Sequence, residues 1–456
     1  MKLKNNVKPQ FAIKGKIFMK SLHVFLGLFL VAIVMGVVKI ADVFPSEIAP
    51  LTQLDRAGIS NEQIELGENL TLLGDCSSCH KRQGVQGLIG GVALPTPFGT
   101  IYSTNITPDL KTGIGSWSYE AFERSMRHGI DREGNHLYPA FPFDHFAATT
   151  DEDLSALYTY LMAQDPIASD RMPNKLQFPF SIRPILAGWK LLFHRPEPFV
   201  PYQSFTEEEN RGAYLAETLG HCSGCHSPRN IFGAVKQNEF LAGGDVEGWI
   251  APPLGKASLS MVGWDIKDFE DYLFDGWSEK HGIAAGPMKE VVDNLYDANE
   301  DDVFAIAAWL AKITPPSDNA LNVQLLNTIS ALDLSENFDF TFAGKNISTD
   351  ILDGAQIFKN NCLKCHKERL SKEQPISLGL TFAVNAQHPT NLFNAILRGI
   401  EPPAGSSARR MQAISLPSDD LEKLVKFIRF HFSNQQPWGN IKPEAIKVIN
   451  TLSDQK

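Results

Sequence analysis

Three stretches of the chain share one arrangement of polar starts and apolar spacing: "TDEDLSALYTYLMA" (150–163), "ANEDDVFAIAAWLAKI" (298–313) and "LPSDDLEKLVKFIRFHF" (416–432). In each, Ser, Thr or Asn precedes two or more acids, and apolar residues then recur at i, i+3 and i+4. A side-chain oxygen at the cap accepts from the free N–H groups of the first turn, and acids are favoured at that end of the helix dipole. The pattern predicts three capped amphipathic helices. Upstream of each lies a shorter helical stretch that opens at a glycine: "GENLTLLGDCSSCH", "GAYLAETLGHCSGCH" and "GAQIFKNNCLKCH". A helix near the start and a capped helix near the end, three times over, make an internal repeat of irregular period.

One apolar run has no such period. Leu22 to Val38, "LHVFLGLFLVAIVMGVV", is the low end of a membrane span and long for a signal-peptide core. No A-x-A site follows it. We expect an uncleaved signal anchor (22–41) behind a basic cytoplasmic tail (1–21), with the body outside; a cleaved export signal is the alternative.

Charge sharpens this division. Residues 1–41 carry seven lysines and no acid, so the overall −10 leaves −17 on the remainder. An acidic body argues against nucleic acid as a partner.

All six cysteines fall in "CSSCH" (Cys76, Cys79, His80), "CSGCH" (Cys222, Cys225, His226) and "CLKCH" (Cys362, Cys365, His366). C-x-x-C-H is the attachment signature of c-type haem. Two thiols three positions apart can form thioethers to both vinyl groups of one porphyrin, and the next imidazole ligates the iron. A redox-active C-x-x-C or a zinc site is the competing reading, but three such motifs consume every cysteine of an exported chain. The expectation is three covalent haems c on an all-α chain of three tandem cytochrome c domains: 58–165, 204–315 and 346–438. An amphipathic linker (166–203) and a polar linker (316–345) separate them, and the tail (439–456) has no motif. Within the first linker, "FPFSIRPILAGWKLLFHRPEPFVPY" suggests a segment at the membrane surface, with Trp189, Leu192 and Phe193 dipping and Arg183, Lys190 and Arg195 outside. A linker packed over the domains is the other reading.

A second axial ligand is sought between each motif and the last helix of its repeat. Met288 in "AAGPMKEVV" serves repeat 2, with Met261 as rival, and Met411 in "RRMQAISLPSDD" serves repeat 3. Repeat 1 reads "HLYPAFPFDHF", where Phe141 takes the corresponding position and cannot ligate. His145 is favoured there; Met126, on an apolar helix face, His128, His136, which follows a turn and is expected to face solvent, and a five-coordinate iron are the alternatives. Tyr102, Ser103, Thr104, Asn105 and Trp117 could bind haem propionates or simply pack. His221, His281, His388 and His431 are left as structural or surface residues.

These motifs together resemble the membrane-bound triheme cytochrome c subunits of bacterial periplasmic dehydrogenases acting on alcohols, gluconate, sorbitol, fructose or aldehydes. The resemblance covers about residues 60–438 and includes "TPFGTIYSTNITPDLKTGIGSWSYEAFERSMRHGI", "LYPAFPFDHF", "GPMKEVV" and a closing "PW". It implies an electron-transfer subunit with no substrate site of its own, passing electrons from a catalytic subunit to ubiquinone or a terminal oxidase. Relatives of the alcohol and gluconate type read LYPAMPY. Phe141 and the following Asp-His-Phe instead resemble the branch serving molybdopterin aldehyde or N-heterocycle dehydrogenases, which add a small iron–sulfur subunit. Pyrroloquinoline-quinone or FAD dehydrogenases are the alternative partners. A haem peroxidase or an oxidase subunit is a more distant reading, and the sequence carries no G-x-G-x-x-G after a strand, no P-loop and no G-x-S-x-G.

Overall fold

A computed structural model describes residues 43–54, 56, 59–255, 263–278, 280–314, 347–366, 378–406, 408–433 and 435–454. The expected anchor, Met261 and the whole of the second linker lie outside them. Among the described residues no helix is long and apolar enough to cross a membrane.

The chain is mostly helical, with three small antiparallel sheets. Repeat 1 holds α1 (Asn61–Leu73), α2 (Cys76–His80), the hairpin β1 (Ala93–Thr96) and β2 (Gly99–Tyr102), α3 (Tyr119–His128), α4 (Phe143–Phe146) and α5 (Asp151–Ala163). The linker adds β3 (Lys175–Leu176) to the β2 edge and then forms α6 (Ile185–Phe193). Repeat 2 runs α7 (Glu207–Glu217), α8 (Ser223–His226), the hairpin β4 (Gly244–Val246) and β5 (Trp249–Ala251), α9 (Ile266–Phe274), the pair β6 (Trp277–Ser278) and β7 (Gly282–Ile283), α10 (Pro287–Tyr296) and α11 (Glu300–Ile313). Repeat 3 has α12 (Thr349–Asn361), α13 (Phe382–Asn385), α14 (Thr390–Arg398), α15 (Ser418–Phe432) and α16 (Lys442–Asp454).

Two of the three expected caps sit where the local chemistry places them, and the third is missing because α15 starts from Pro417, with Ser418 already inside the helix. Thr150 accepts from the Asp153 N–H and Asn299 from the Asp302 N–H, so α5 and α11 start at the predicted residues. Each motif helix then crosses the last helix of its repeat: α1 on α5, α7 on α11, α12 on α15. A glycine lies at every crossing. A Cβ on Gly67, Gly212 or Gly354 would come within 2.1, 1.8 or 2.2 Å of the carbonyl oxygen of Ala156, Ala305 or Lys423. Only a residue without a Cβ lets the helices meet this closely.

Repeats 1 and 2 share one apolar core, running from Leu70 through Leu161 and Leu215 to Leu310. Their helix starts are capped reciprocally. The Asn299 N–H donates to Asn69 Oδ1 (2.7 Å), and Asn69 Nδ2 donates to Asp302 (2.7 Å). In mirror fashion the Thr150 N–H donates to the Tyr214 hydroxyl (3.1 Å), which donates to Asp153 (2.5 Å). Repeat 3 closes a separate core from Ile351 to Val448. It touches repeat 2 through polar contacts: Asn391 bonds both the N–H and the carbonyl of Ile250, and Asn394 donates to the Gly248 carbonyl.

The tail holds a helix, α16, which with Ile441 before it buries Ala445 and Val448 against the third core. The linker helix α6 departs from the expected orientation in two of its charges, while Leu192 and Arg195 are exposed. Lys190 points inward, donating to the carbonyls of His128 and Gly129 (2.6 Å each), and Arg183 reaches the His136 carbonyl. Trp189 and Phe193 are half-buried, whereas Leu191 and Leu192 are exposed. A lysine buried this way satisfies its donors on a helix end, and its ammonium lies 5.0 Å from the centroid of the Phe143 ring, a cation–π contact.

Candidate haem-attachment sites

The three C-x-x-C-H motifs follow α1, α7 and α12, and all six thiols are free of disulfides. Burial pushes the thiols of Cys76, Cys79 and Cys222 up to about 12. That is the opposite of the low thiol pKa on which a redox-active C-x-x-C depends. Among the described residues no group of three or more His, Cys, Asp or Glu side chains could hold a metal ion, so a zinc reading finds no ligand set.

The histidines of the first two motifs are held alike. His80 Nδ1 lies 2.6 Å from the Thr104 carbonyl and His226 Nδ1 lies 2.7 Å from the Pro252 carbonyl. A carbonyl only accepts, so each Nδ1 carries the proton and each Nε2 keeps its lone pair for a metal. Such an outer-shell acceptor fixes the ring and raises its basicity as a ligand. Burial lowers both pKa values and keeps the imidazoles neutral. The fixation extends to the backbone. The carbonyls of His80 and His226 accept from Gly90 (2.8 Å) and Gly243 (2.7 Å), both at positive φ. A Cβ on Gly90 would lie 2.3 Å from the Thr104 carbonyl oxygen, the same atom that orients His80. His366 has no partner for Nδ1 among the described residues, and its imidazole is kept neutral by burial. The donor set and the fixed tautomers fit covalent haem at the first two motifs.

The first motif also meets repeat 2. Ser77 donates to Asn294 of α10 (2.8 Å), and Asn294 donates to the carboxylate of Asp75, which also accepts from Ser78. Burial raises the Asp75 pKa to about 6.

The distal positions can be compared through backbone register. Each repeat has a helix (α3, α9, α14), then a glycine at positive φ (Gly129, Gly276, Gly399), then an antiparallel pair. The Leu137 N–H donates to the Gly129 carbonyl and the Ala284 N–H to the Gly276 carbonyl. Counting four residues on from each places Phe141 in register with Met288. Both are half-buried against the shared core. Gly286, at φ 59°, lies on the Trp249 indole just ahead of Met288. Met411 differs: it is the strand partner of Ile400, in register with His136 and Ile283, and is half-buried on the third core.

Two histidines are not where the sequence suggests. His145, in α4, has both ring nitrogens engaged, Nδ1 with Asp144 (3.1 Å) and Nε2 with Ser223 (2.8 Å). Ser223 belongs to the second motif, and His221 stands edge-on to the His145 ring. His136 is buried rather than solvent-facing, at 3 % exposure, with Nε2 on the Val43 carbonyl and Nδ1 accepting from Lys190. Met126 is in the core, as its apolar stripe indicates. Of the proposed propionate donors, Asn105 is buried in its own network with Thr107, Thr112 and the Ile167 carbonyl.

No protein-family model matches the chain. Curated relatives do. A nicotinate dehydrogenase subunit of Pseudomonas putida is 39% identical over 425 residues, covering 91% of this chain and 34% of the relative, so the chain spans about a third of that protein's length. A fructose dehydrogenase cytochrome subunit of Gluconobacter japonicus is 32% identical over 89% of this chain and 86% of its own length. A gluconate 2-dehydrogenase cytochrome c subunit of Pantoea cypripedii is 32% identical over 89% of this chain and 93% of its own. The protein is a c-type cytochrome by class. It belongs to the family of cytochrome c subunits of bacterial dehydrogenases.

Proposed function

We propose that this chain is a triheme electron-transfer subunit, built of three cytochrome c domains, in a membrane-bound periplasmic dehydrogenase. It would pass electrons from the catalytic subunit to ubiquinone or a terminal oxidase. The observation that carries this reading is the pair of motif histidines whose Nδ1 protons are committed to backbone carbonyls. Haem c, when bound, supplies a one-electron centre whose potential is set by ligand, burial and hydrogen bonds. The chain holds it through Cys76 and Cys79, Cys222 and Cys225, and Cys362 and Cys365, with His80, His226 and His366 as proximal ligands. Met288 and Met411 would be further residues holding the second and third irons. Phe141 offers the first iron no donor, and His145 would have to give up Ser223 or Asp144 to do so.

The Pseudomonas putida relative, named for an N-heterocyclic acid, supports a molybdopterin catalytic partner with an iron–sulfur subunit. The sugar and gluconate relatives match over more of their own length and favour a flavin partner instead. Haem quantitation of the purified chain should give three haems per polypeptide; two or fewer would refute the triheme reading. Molybdenum in the complex that co-purifies from solubilised membranes would decide for the first partner, and flavin or pyrroloquinoline quinone for the second. His145→Ala should leave the low-temperature electron paramagnetic resonance of all three haems unchanged; loss of one low-spin signal would return His145 to the first iron.

A further inference from the structure

From Phe178 to Leu192 every exposed residue is apolar, proline, glycine or serine. The two charges in that stretch, Arg183 and Lys190, are both turned into repeat 1. A surface helix ordinarily buries its apolar face and wets its lysines. α6 does the reverse: Ile185, Leu191 and Leu192 are 48, 53 and 63% exposed. The apolar surface continues across the domain boundary, because Trp189 donates to the Phe232 carbonyl (3.0 Å) and Phe193 packs on the Phe232 ring. There Ile231 is 84% exposed, and Phe178 at the other end is 82% exposed. An apolar patch built from two segments and kept free of charge marks an interaction surface.

Its place relative to the N-terminal apolar segment says what covers it. The first described residue is Val43, whose carbonyl accepts from His136 Nε2 (3.1 Å), while His136 Nδ1 accepts from Lys190 of α6 (3.0 Å). The next residues are clipped to the same loop: Arg124 donates to the Ser46 carbonyl, and Arg132 to Glu47 and the Ile48 carbonyl. One imidazole therefore joins the exit of the N-terminal apolar segment to the linker helix. Val43 is five residues beyond Val38, the last residue of that segment. Even fully extended, five residues reach only about 17 Å. A segment crossing the bilayer at 22–38 therefore holds α6 at the membrane surface.

We infer that the surface formed by 178–192 and the Ile231–Phe232 loop lies in the outer leaflet interface, as a second and non-spanning contact with the same bilayer. Phe178, Ile185, Leu191, Leu192, Ile231 and Phe232 enter the boundary between headgroups and acyl chains, a depth of roughly 5–10 Å in such interfacial helices. The Val43–His136–Lys190 link fixes the tilt of repeats 1 and 2 on the membrane. The inference rests on the membrane-anchored reading above.

The test uses the full-length protein in phosphatidylcholine vesicles doped with a photoactivatable phosphatidylcholine, with adducts mapped by mass spectrometry. Lipid adducts are expected on peptides covering 178–193 and 229–233 as well as on 22–38. The double variant Leu191→Asp/Leu192→Asp should lower the 178–193 adducts at least tenfold while leaving haem content and the 22–38 adducts unchanged. Adducts confined to 22–38 would overturn the inference and leave the anchor standing. Absence at 22–38 as well would overturn the anchored reading itself. Protection of 178–193 by a co-purified subunit, with no lipid adduct there, would assign the surface to a protein and also overturn the inference.

Discussion

Repeats 1 and 2 bury their apolar faces in one cluster, whereas repeat 3 seals its own and meets repeat 2 through side-chain amides, the Asp293 carboxylate and two local contacts, Pro403 on Gly276 and Gly405 on the Tyr296 ring. All three use the same helix crossing over a glycine, so the difference is not in the building block. It lies in what the motif helix carries on its outer side. Asn69 and Tyr214 each reach across to cap the other repeat's final helix; among the described residues α12 makes no such reach, and its partner α15 starts from Pro417 without a side-chain cap bond. Two units that complete each other's helix ends must melt together. A unit that completes itself can melt alone.

The contrast is most vulnerable at the crossings. Gly212→Val puts a branched side chain against the Ala305 carbonyl and should cost on the order of 3 kcal/mol or more. Calorimetry should show one joint transition for repeats 1 and 2 falling, while that of repeat 3 stays. The same change at Gly354 should shift only the repeat 3 transition. Equal shifts of both transitions from either variant would mean that the two cores are coupled. Next in size is Tyr214→Phe, which leaves the buried Asp153 without its 2.5 Å donor, at a cost of about 1–3 kcal/mol. It should lower the joint transition as a whole, and a melt splitting into separate repeat 1 and repeat 2 steps would show that the cap, not the core, joins them. Asn391→Ala removes two bonds to Ile250 and should cost about 1 kcal/mol of docking, read as easier proteolytic release of repeat 3 with both melting transitions in place.

The smallest effect is a pH dependence at the contact of the first motif with repeat 2. Burial raises Asp75 from its ordinary value of 3.8 to about 6. A carboxyl whose folded pKa is raised contributes most below the unfolded value, and that contribution fades as pH rises through about 6. Stability of the joint unit should therefore decline slightly between about pH 4 and about pH 6, and Asp75→Asn should flatten the slope. An unchanged slope in the variant would place the titration elsewhere.

What can be read from the sequence follows the range of the interactions involved. The starts of α5 and α11 are legible because a cap is a matter of three adjacent residues. The C-x-x-C-H motifs are legible because their chemistry is local, and Phe141 stands in register with Met288 as its loop suggests. The fusion of repeats 1 and 2 is not, since the Asn69 cap joins residues 230 positions apart. His145 reads as an iron ligand in a loop because nothing nearby in sequence announces Ser223, 78 residues on. His136 follows a turn and reads as wet, yet Val43 and Lys190 enclose it from both sides. α16 is easily missed because an isolated amphipathic stretch carries no chemistry, although Pro443 near its start and the spacing of Ile441, Ala445 and Val448 are available signals.

The reciprocal caps also have a consequence in time. The chain is made from its N-terminus, and Tyr214 is synthesised 64 residues after Thr150, the helix start it completes. Until then α5 lacks that partner, and the backing it gives to α1 is incomplete. The first C-x-x-C-H motif, which follows α1, thus gains its full backing only once the second repeat has been made. Closure comes with the arrival of the second copy, so the order of the genetic text doubles as a schedule for assembly.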